Sequence, residues 1–214
     1  MRRRWHSRWL GWMAAAAAAA AVFWLLPPFR IASLTGARQQ AAGAAFDAAA
    51  FADKFWRDQL LRPDTPALEA GRLIELLREN PTAAAELGRR LGFSRTTSFF
   101  IRGAGRIAAV APDAVSLVLE GDREEVSVVI ETGPVFGNAI RDGSGLLDVS
   151  SFPNSQDFNA VSGALNRLVE AEVLPALRAR ATAGLRIGFT GGVDVDDPAR
   201  ALPLRVVPVR LEFP

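Results

Sequence analysis

The sequence predicts an α+β protein, in which an N-terminal transmembrane helix and a helical segment precede a small antiparallel β-barrel with a long inserted helix. Three observations support this fold class. An uncharged apolar run near the N-terminus follows four arginines, apolar residues then recur at three- and four-residue steps, and short alternating segments follow from residue 96. The second pattern is typical of helices and the third of antiparallel strands.

Residues 1–30 form the predicted membrane anchor. Four arginines precede an uncharged run over residues 9–28, and four of the five tryptophans lie near the ends of that run. Its centre, residues 10–26, would measure about 25 Å as a helix, against roughly 30 Å for the hydrocarbon core of a bilayer. Because cationic flanks stay in the cytoplasm, we expect a single-pass inner-membrane protein with its N-terminus inside and its C-terminal domain in the periplasm.

Two other interpretations fit part of this N-terminal pattern. A cleaved secretory signal also has a basic start and an apolar centre, and it would release the protein into the periplasm. Ile31-Ala32-Ser33 is a poor cleavage site, however, because the position three before the cut prefers a small residue. A buried alanine-rich helix of a soluble protein is disfavoured by the flanking arginines and tryptophans.

The helical segment follows a linker. Residues 31–44 are small and polar, as in a tether, and residues 45–214 are expected to form one periplasmic α+β domain. The first helix is predicted over residues 46–61, where apolar side chains line one face, and Pro63 ends it.

Two further helices are predicted before the strands. Thr65 and Pro66 are the expected N-cap and first-turn proline of a helix over residues 67–80. Asn80-Pro81 ends that helix, and a short helix then extends from Thr82 toward Gly92.

Short strands follow one another at spacings near ten residues, which is typical of an antiparallel meander. Four strands are predicted, over residues 98–103, 105–111, 114–120 and 125–131. The expected turns between them are Gly103-Ala104-Gly105, Pro112-Asp113 and Gly121-Asp122.

A long amphipathic helix over residues 156–181, kinked at Pro175, separates these strands from two more over residues 185–191 and 204–213. Six strands with such an insertion suggest a small curled sheet or barrel. A five-stranded Greek-key barrel of the oligonucleotide/oligosaccharide-binding type has a similar set of short strands and commonly a helix that closes one end.

The residue inventory excludes many kinds of catalysis. The chain has no cysteine and no tyrosine, its one histidine is His6, and its one lysine is Lys54. A thiolate nucleophile, a disulfide, a Cys/His zinc site and a Ser-His-Asp triad within the domain are therefore excluded. Because only Asp and Glu remain as acid–base groups, we expect a protein that is not an enzyme and that uses no cofactor.

Charge separates the two parts of the chain. Five of the 25 basic residues lie in the first 30 residues, where there is no acid, so the remaining 20 face 23 acidic groups and leave a net charge of −3. A mildly acidic domain argues against nucleic acid as a partner, because such binding depends on neutralising phosphates.

The irregular stretch over residues 133–159 contains the candidate ligand- or partner-binding residues. They are Asn138, Arg141, Asp142, Asn154, Gln156, Asp157 and Asn159. A structural interpretation competes, in which Ser155 caps the long helix and Asp157 lies in its first turn. We expect a structural role for Asp157 and consider Arg141 the better candidate for a functional contact.

A second acidic segment, residues 194–197, lacks the alternating ligand pattern, the glycine and the distant glutamate of a calcium loop. It is interpreted as a solvated turn, and no metal site is expected.

Five blocks of sequence resemble one family over about residues 29–214. They are FDAAAFADKFW (46–56), FFIRGAGRI (99–107), ETGPVFGNAIRD (131–142), DVSSFPNSQDFN (148–159) and LPLRVVPVRLE (202–212). The chain resembles the domain-of-unknown-function 2291 family of predicted periplasmic lipoproteins. The resemblance implies a barrel related to the oligosaccharide-binding fold and an association with ribose-type sugar ABC transporters, and it supplies no catalytic residue.

One departure from that family concerns the anchor. A lipoprotein needs a cysteine after its signal for acylation, and this chain has none. Residues 9–28 are therefore expected to hold the protein in the cytoplasmic membrane.

Two functions from different classes follow. The first is a non-enzymatic, membrane-tethered periplasmic accessory of a sugar ABC transporter that contacts its permease or binding protein. The second is a small-ligand or carbohydrate-binding module that uses loop 133–159. Hydrolysis by paired carboxylates is a weaker third possibility, because nothing in the sequence places two carboxylates in one cleft.

Overall fold

Five strands close into a barrel, and helices pack against its interior and its outer face. The computed structural model describes residues 46–121 and 125–214. The strands are β1 (Leu68–Glu69), β2 (Thr97–Val110), β3 (Ala114–Leu119), β4 (Val128–Glu131), β5 (Arg186–Val195) and β6 (Leu204–Glu212). The helices are α1 (Ala48–Phe55), α2 (Ala70–Glu79), α3 (Pro81–Leu87), α4 (Ala139–Ser144), α5 (Ser155–Leu168) and α6 (Leu174–Arg180).

The sheet order is β1-β2-β3-β4-β6-β5, and β5 pairs back to β2, which closes the barrel. The closing ladder is antiparallel and runs from Thr97–Val195 to Arg106–Arg186. The α+β class and the helical insertion before the last two strands are as predicted. The wholly antiparallel sheet is not, because β4 pairs with β6 and β1 pairs with β2 in parallel.

The predicted turn at Gly103-Ala104-Gly105 is wrong, because β2 continues through it as one strand of 14 residues. Hydrogen bonding to β5 continues across this point without interruption. Gly105 is required there for a different reason. A Cβ atom at this position would lie 2.5 Å from the carbonyl oxygen of Val118 on β3, so glycine permits a close approach of two strands.

The predicted start of the second helix is also wrong. Thr65 does not cap it, and its hydroxyl instead donates to the carbonyl oxygen of Gln59 at 2.5 Å. Leu68 and Glu69 pair with β2, so α2 begins only at Ala70. Pairing with the barrel edge thus overrides the local capping signal.

The long insertion between β4 and β5 contains the predicted helix in two parts. α5 is capped by Asn154, whose side chain accepts from the Asp157 amide at 2.8 Å, one residue before the predicted cap Ser155. A widened π-type turn, Val169–Val173, joins α5 to α6. Pro175 lies in the first turn of α6, where its missing N–H is tolerated. The backbone therefore changes from π-type to α-helical hydrogen bonding just before this proline.

Alternate residues of β2 enter two hydrophobic clusters. Phe99 and Ile101 join the barrel interior with the apolar face of α2, whereas Phe100 joins an outer cluster with α1 and α5. The α2 residues in the inner cluster include Leu73, Ile74, Leu76 and Leu77. Trp56, Leu60 and Leu165 are among the most deeply buried side chains of the outer cluster. Both faces of β2 are therefore covered.

Within residues 46–121 and 125–214, no helix is both long and apolar enough to cross a bilayer. The predicted anchor, residues 9–28, and the predicted linker, residues 31–44, lie outside the described residues.

A truncated chain that begins at Gly43 is expected to fold alone. Residues 46–214 form one compact unit with its own two clusters, and about 170 residues are enough for an independent core. Thermal unfolding followed by circular dichroism should show a single cooperative transition. A gradual, non-cooperative loss of signal would contradict this expectation.

Candidate functional site

α4 lies directly on the backbone of the barrel. A Cβ atom at Gly143 would lie 2.5 Å from the Phe99 carbonyl oxygen, and a Cβ atom at Gly192 would overlap the backbone of Ala139. Glycine at both positions permits this approach, because no other residue lacks the Cβ atom. α4 is therefore held against β2 and β5, with Arg141 in its middle.

Arg141 is buried, with only 2% of its surface exposed, and its guanidinium is surrounded by acceptors. Its Nε and Nη2 donate to the two carboxylate oxygens of Asp142 at 2.6 and 3.0 Å. Its Nη1 donates to Oδ1 of Asn159 at 2.9 Å and to the Phe158 carbonyl oxygen at 3.3 Å. The guanidinium carbon also lies 3.8 Å from the centre of the Phe158 ring. This network joins α4 to the first turns of α5.

A groove of about 360 Å³ lies above this network. One wall is the segment 89–91, the other is the segment 145–149, and Asp142 and Phe158 also line it. Three aliphatic side chains in these walls are 40 to 43% exposed, namely Leu91, Leu146 and Val149. The groove thus presents apolar surface to solvent.

Opposite charges line the two walls of the groove. Arg89 and Arg90 are exposed on one side, and Arg90 donates to the Thr97 hydroxyl at 3.0 Å. Asp148 lies on the other side, where hydrogen bonds from the amide and hydroxyl of Ser150 lower the pKa of its carboxyl group. The carboxyl group of Asp148 is therefore ionised at neutral pH.

A third carboxylate, Asp194, lies at the end of β5 near Asp142. It accepts a hydrogen bond from the Ser98 hydroxyl at 2.5 Å. Partial desolvation of its carboxylate raises the pKa of Asp194, and the nearby charges of Asp142 and Asp196 raise it further, whereas the Ser98 hydrogen bond and Arg141 lower it. No group of three or more metal-ligating side chains is found among residues 46–121 and 125–214.

The seven residues proposed from the sequence fall into separate places. Asp142 and Asn159 accept hydrogen bonds from the buried guanidinium of Arg141, and Asn154 and Asp157 bond to each other at the start of α5. Asn138 and Gln156 are exposed. Of the seven, Asp142 alone lines the groove.

The opposite wall of the groove was not predicted. Arg89, Arg90 and Leu91 follow α3, in a segment that the sequence presents only as the end of a short helix. Backbone pairing between Arg89 and Ser98 brings this segment to the barrel. The one available signal was the combination of adjacent arginines with apolar residues in RRLGF, over residues 89–93.

The barrel order, with the helical insertion between the third and fourth barrel strands, is that of an OB-fold barrel. A similar solved structure is the crystal structure of an OB-fold protein from Thermotoga maritima MSB8, which is 24% identical with a TM-score of 0.69. The match covers 79% of this chain and 99% of that chain, and it establishes the shared fold.

The chain belongs to the family described as predicted periplasmic lipoprotein (DUF2291), whose model matches residues 18–212. This confirms the resemblance derived from the five sequence blocks, and the family supports a periplasmic, membrane-associated location. No curated protein matches the chain.

Replacing the buried arginine should destabilise the domain. Arg141→Ala removes every donor to Asp142 and Asn159 in this network, so we expect a loss of about 2–4 kcal/mol in the free energy of unfolding. Urea denaturation measures the loss. Asn138→Ala is the matched control, because Asn138 is exposed and its side chain does not cap α4. Equal stabilities of the two variants would contradict the assigned role.

The raised pKa of Asp194 predicts a pH-dependent stability. A carboxyl group that binds its proton more tightly in the folded state stabilises the fold while it is protonated. This contribution to the free energy of unfolding is lost as pH rises from about 4, the ordinary pKa of aspartate, through the raised pKa of the folded state. Asp194→Asn should therefore be more stable than the wild type at pH 7, with a smaller difference at pH 4. Urea midpoints at both pH values test this. Asp58→Asn, at an exposed carboxylate in the turn that follows α1, is the control substitution.

Proposed function

We propose that this protein is a non-enzymatic accessory of a ribose-type sugar ABC transport system, tethered to the cytoplasmic membrane with its barrel in the periplasm. The groove between segments 89–91 and 145–149 is its contact surface for the permease or the sugar-binding protein. The observation that carries the proposal is the exposed aliphatic surface of this groove between charged walls.

Several features favour a protein as the occupant of the groove. Exposed leucine and valine side chains surrounded by charged residues resemble the apolar centre and polar rim of a protein interface. A sugar would instead need aromatic faces and unengaged polar groups. Phe158 is 2% exposed and lies beneath Arg141, and the donors of Arg141 are occupied by protein acceptors.

The tether is supported by the family and by the residue inventory. A predicted periplasmic lipoprotein is held at a membrane, yet a chain without cysteine offers no thiol for acylation. The uncharged run over residues 9–28 supplies the apolar length that the missing lipid would otherwise provide. Its four preceding arginines favour a cytoplasmic N-terminus.

A second candidate function is the binding of a small ligand or carbohydrate by loop 133–159. The volume of the groove, about 360 Å³, favours it, because small-molecule sites begin near this size. Arg89, Asp142 and Asp148 would supply the polar contacts.

The proposed location predicts the outcome of alkaline carbonate extraction. The full chain should remain in the membrane pellet and be digested by protease added to spheroplasts, because the barrel lies outside the cytoplasm. A chain without residues 1–30 is the control and should be soluble. Recovery of the wild-type protein in the carbonate supernatant would contradict the tether, and a new N-terminus near Leu34 would identify signal cleavage instead.

The groove is tested by a charge placed on its apolar surface. Val149→Glu should weaken co-purification of the full chain with the permease or the sugar-binding protein at least about tenfold, because an interface would have to bury an unpaired carboxylate. The matched control is Val110→Glu, since Val110 is 49% exposed and does not line the groove. Both variants should unfold at the wild-type temperature.

A thermal-shift screen against pentoses and hexoses separates the two candidate functions. Stabilisation by a sugar that disappears in Arg89→Ala would support the carbohydrate module. The accessory function predicts no response to free sugars, together with the loss of co-purification in Val149→Glu. If Val149→Glu binds the transporter components as the wild type does, the groove is not their contact surface.

A further inference from the structure

The loop between α3 and β2 projects from the barrel as a narrow tip. Backbone hydrogen bonds between Arg89 and Ser98, at 2.7 and 2.8 Å, close the loop at its base. Every residue from 91 to 95 is exposed, and Phe93 is fully exposed to solvent. The loop therefore presents one fully exposed aromatic side chain at its tip.

The charge of the loop has one sign. Arg89, Arg90 and Arg95 lie within it, and residues 87–95 contain no acid. None of the three forms an ion pair with a residue that the structure describes, whereas most other arginines of the domain do. Asp196, near the base of the loop, instead accepts from the Thr96 hydroxyl at 2.7 Å. Three cations therefore accompany the exposed phenylalanine.

We infer that this tip contacts the surface of the membrane, with Phe93 in the interfacial region and the arginines against anionic phospholipid headgroups. Phenylalanine is among the residues that interfacial membrane segments bury at the boundary between headgroups and acyl chains, with Lys and Arg on their polar side. Basic side chains beside it are attracted to anionic lipid. The combination of one protruding ring with three arginines that lack carboxylate partners matches both requirements.

The small apolar surface of the tip favours a membrane over a protein as the surface that it contacts. A stable protein interface buries about 800 Å² on each partner around an apolar centre. Apart from Phe93, the exposed large apolar side chains of the loop and of the end of α3 are only Leu87 and Leu91, and both are partly exposed. A bilayer needs no complementary flat surface, because lipids rearrange around an inserted ring.

The length of the chain allows this contact. The inference rests on the proposed tether, and 17 residues separate Pro28 from Phe46. A segment of that length spans at most about 60 Å even when fully extended. The barrel would thus remain close to the bilayer, where even a weak contact is populated because its effective concentration is high.

The contact would also orient the groove. The base of the loop, Arg89 to Leu91, forms one wall of that groove. A tip that touches the bilayer therefore places the groove near the membrane surface, where a membrane-embedded permease presents its periplasmic segments.

The lack of cysteine in the chain makes the test direct. Ser94→Cys introduces a single thiol beside Phe93, and it can be labelled with an environment-sensitive fluorophore in the full chain. The labelled protein is reconstituted into phosphatidylcholine vesicles with or without equimolar phosphatidylglycerol. The control label is at Val110→Cys, an exposed position at the opposite end of β2.

We expect blue-shifted emission and quenching by lipid-borne quenchers at position 94 in the anionic vesicles, and aqueous emission at position 110. Adding Phe93→Ser, or Arg90→Gln with Arg95→Gln, should return the emission at position 94 most of the way to its aqueous value. Flotation of every variant with the vesicles reports the tether separately.

The outcomes separate the two proposals. A protein that floats while position 94 remains aqueous overturns the membrane contact and leaves the tether intact. A protein that does not float overturns both. An equal shift in neutral vesicles, or a shift that appears only when a transporter protein is added, overturns the assignment to anionic lipid.

Discussion

The buried guanidinium of Arg141 is the interaction on which the outer layer of this protein depends. An arginine that is 2% exposed is stable only if acceptors replace the water that it loses. Asp142, Asn159 and the Phe158 carbonyl provide those acceptors from two helices. The approach of α4 to the barrel, permitted by glycines at positions 143 and 192, brings the guanidinium within their reach. Fold and polar network therefore require each other.

The groove follows from this network. The bond to Arg141 fixes the carboxylate of Asp142, and the same helix leads directly into the wall formed by residues 145–149. The opposite wall is fixed by the backbone bonds of Arg89 to Ser98 on β2, the strand that lies beneath α4. Both walls are thus positioned by the same strand, although about 55 residues separate them along the chain. The backbone of both walls is therefore fixed before any partner binds, which lowers the cost of ordering the groove.

Sequence patterns predict the parts of this structure that depend on local periodicity. The helices α2 and α5, the positions of the strands after β2 and the insertion before the last two strands follow from the spacing of apolar residues. What depends on distant pairing does not follow. Gly105 has the local signature of a turn, and only the approach of β3 explains it as part of a continuous strand. Likewise, Arg141 stands in an irregular polar stretch and therefore resembles a binding residue in the sequence. Its burial could not be predicted, because it depends on α5 and on two glycines, one of them about 50 residues away.

The three proposed attachments reinforce one another. The tether limits the distance between barrel and bilayer, the tip at Phe93 limits the orientation of the barrel, and the groove contacts a protein only within those limits. The contact of the tip can be weak, because the tether already holds the chain at the bilayer, and the contact of the groove can be weak, because a membrane-embedded partner lies in the same bilayer. A soluble domain with the same groove would have to supply the whole binding energy from one small apolar surface. On this proposal, the exposed aliphatic side chains of the groove meet their partner within a limited range of heights above the membrane, so a modest contact area is sufficient.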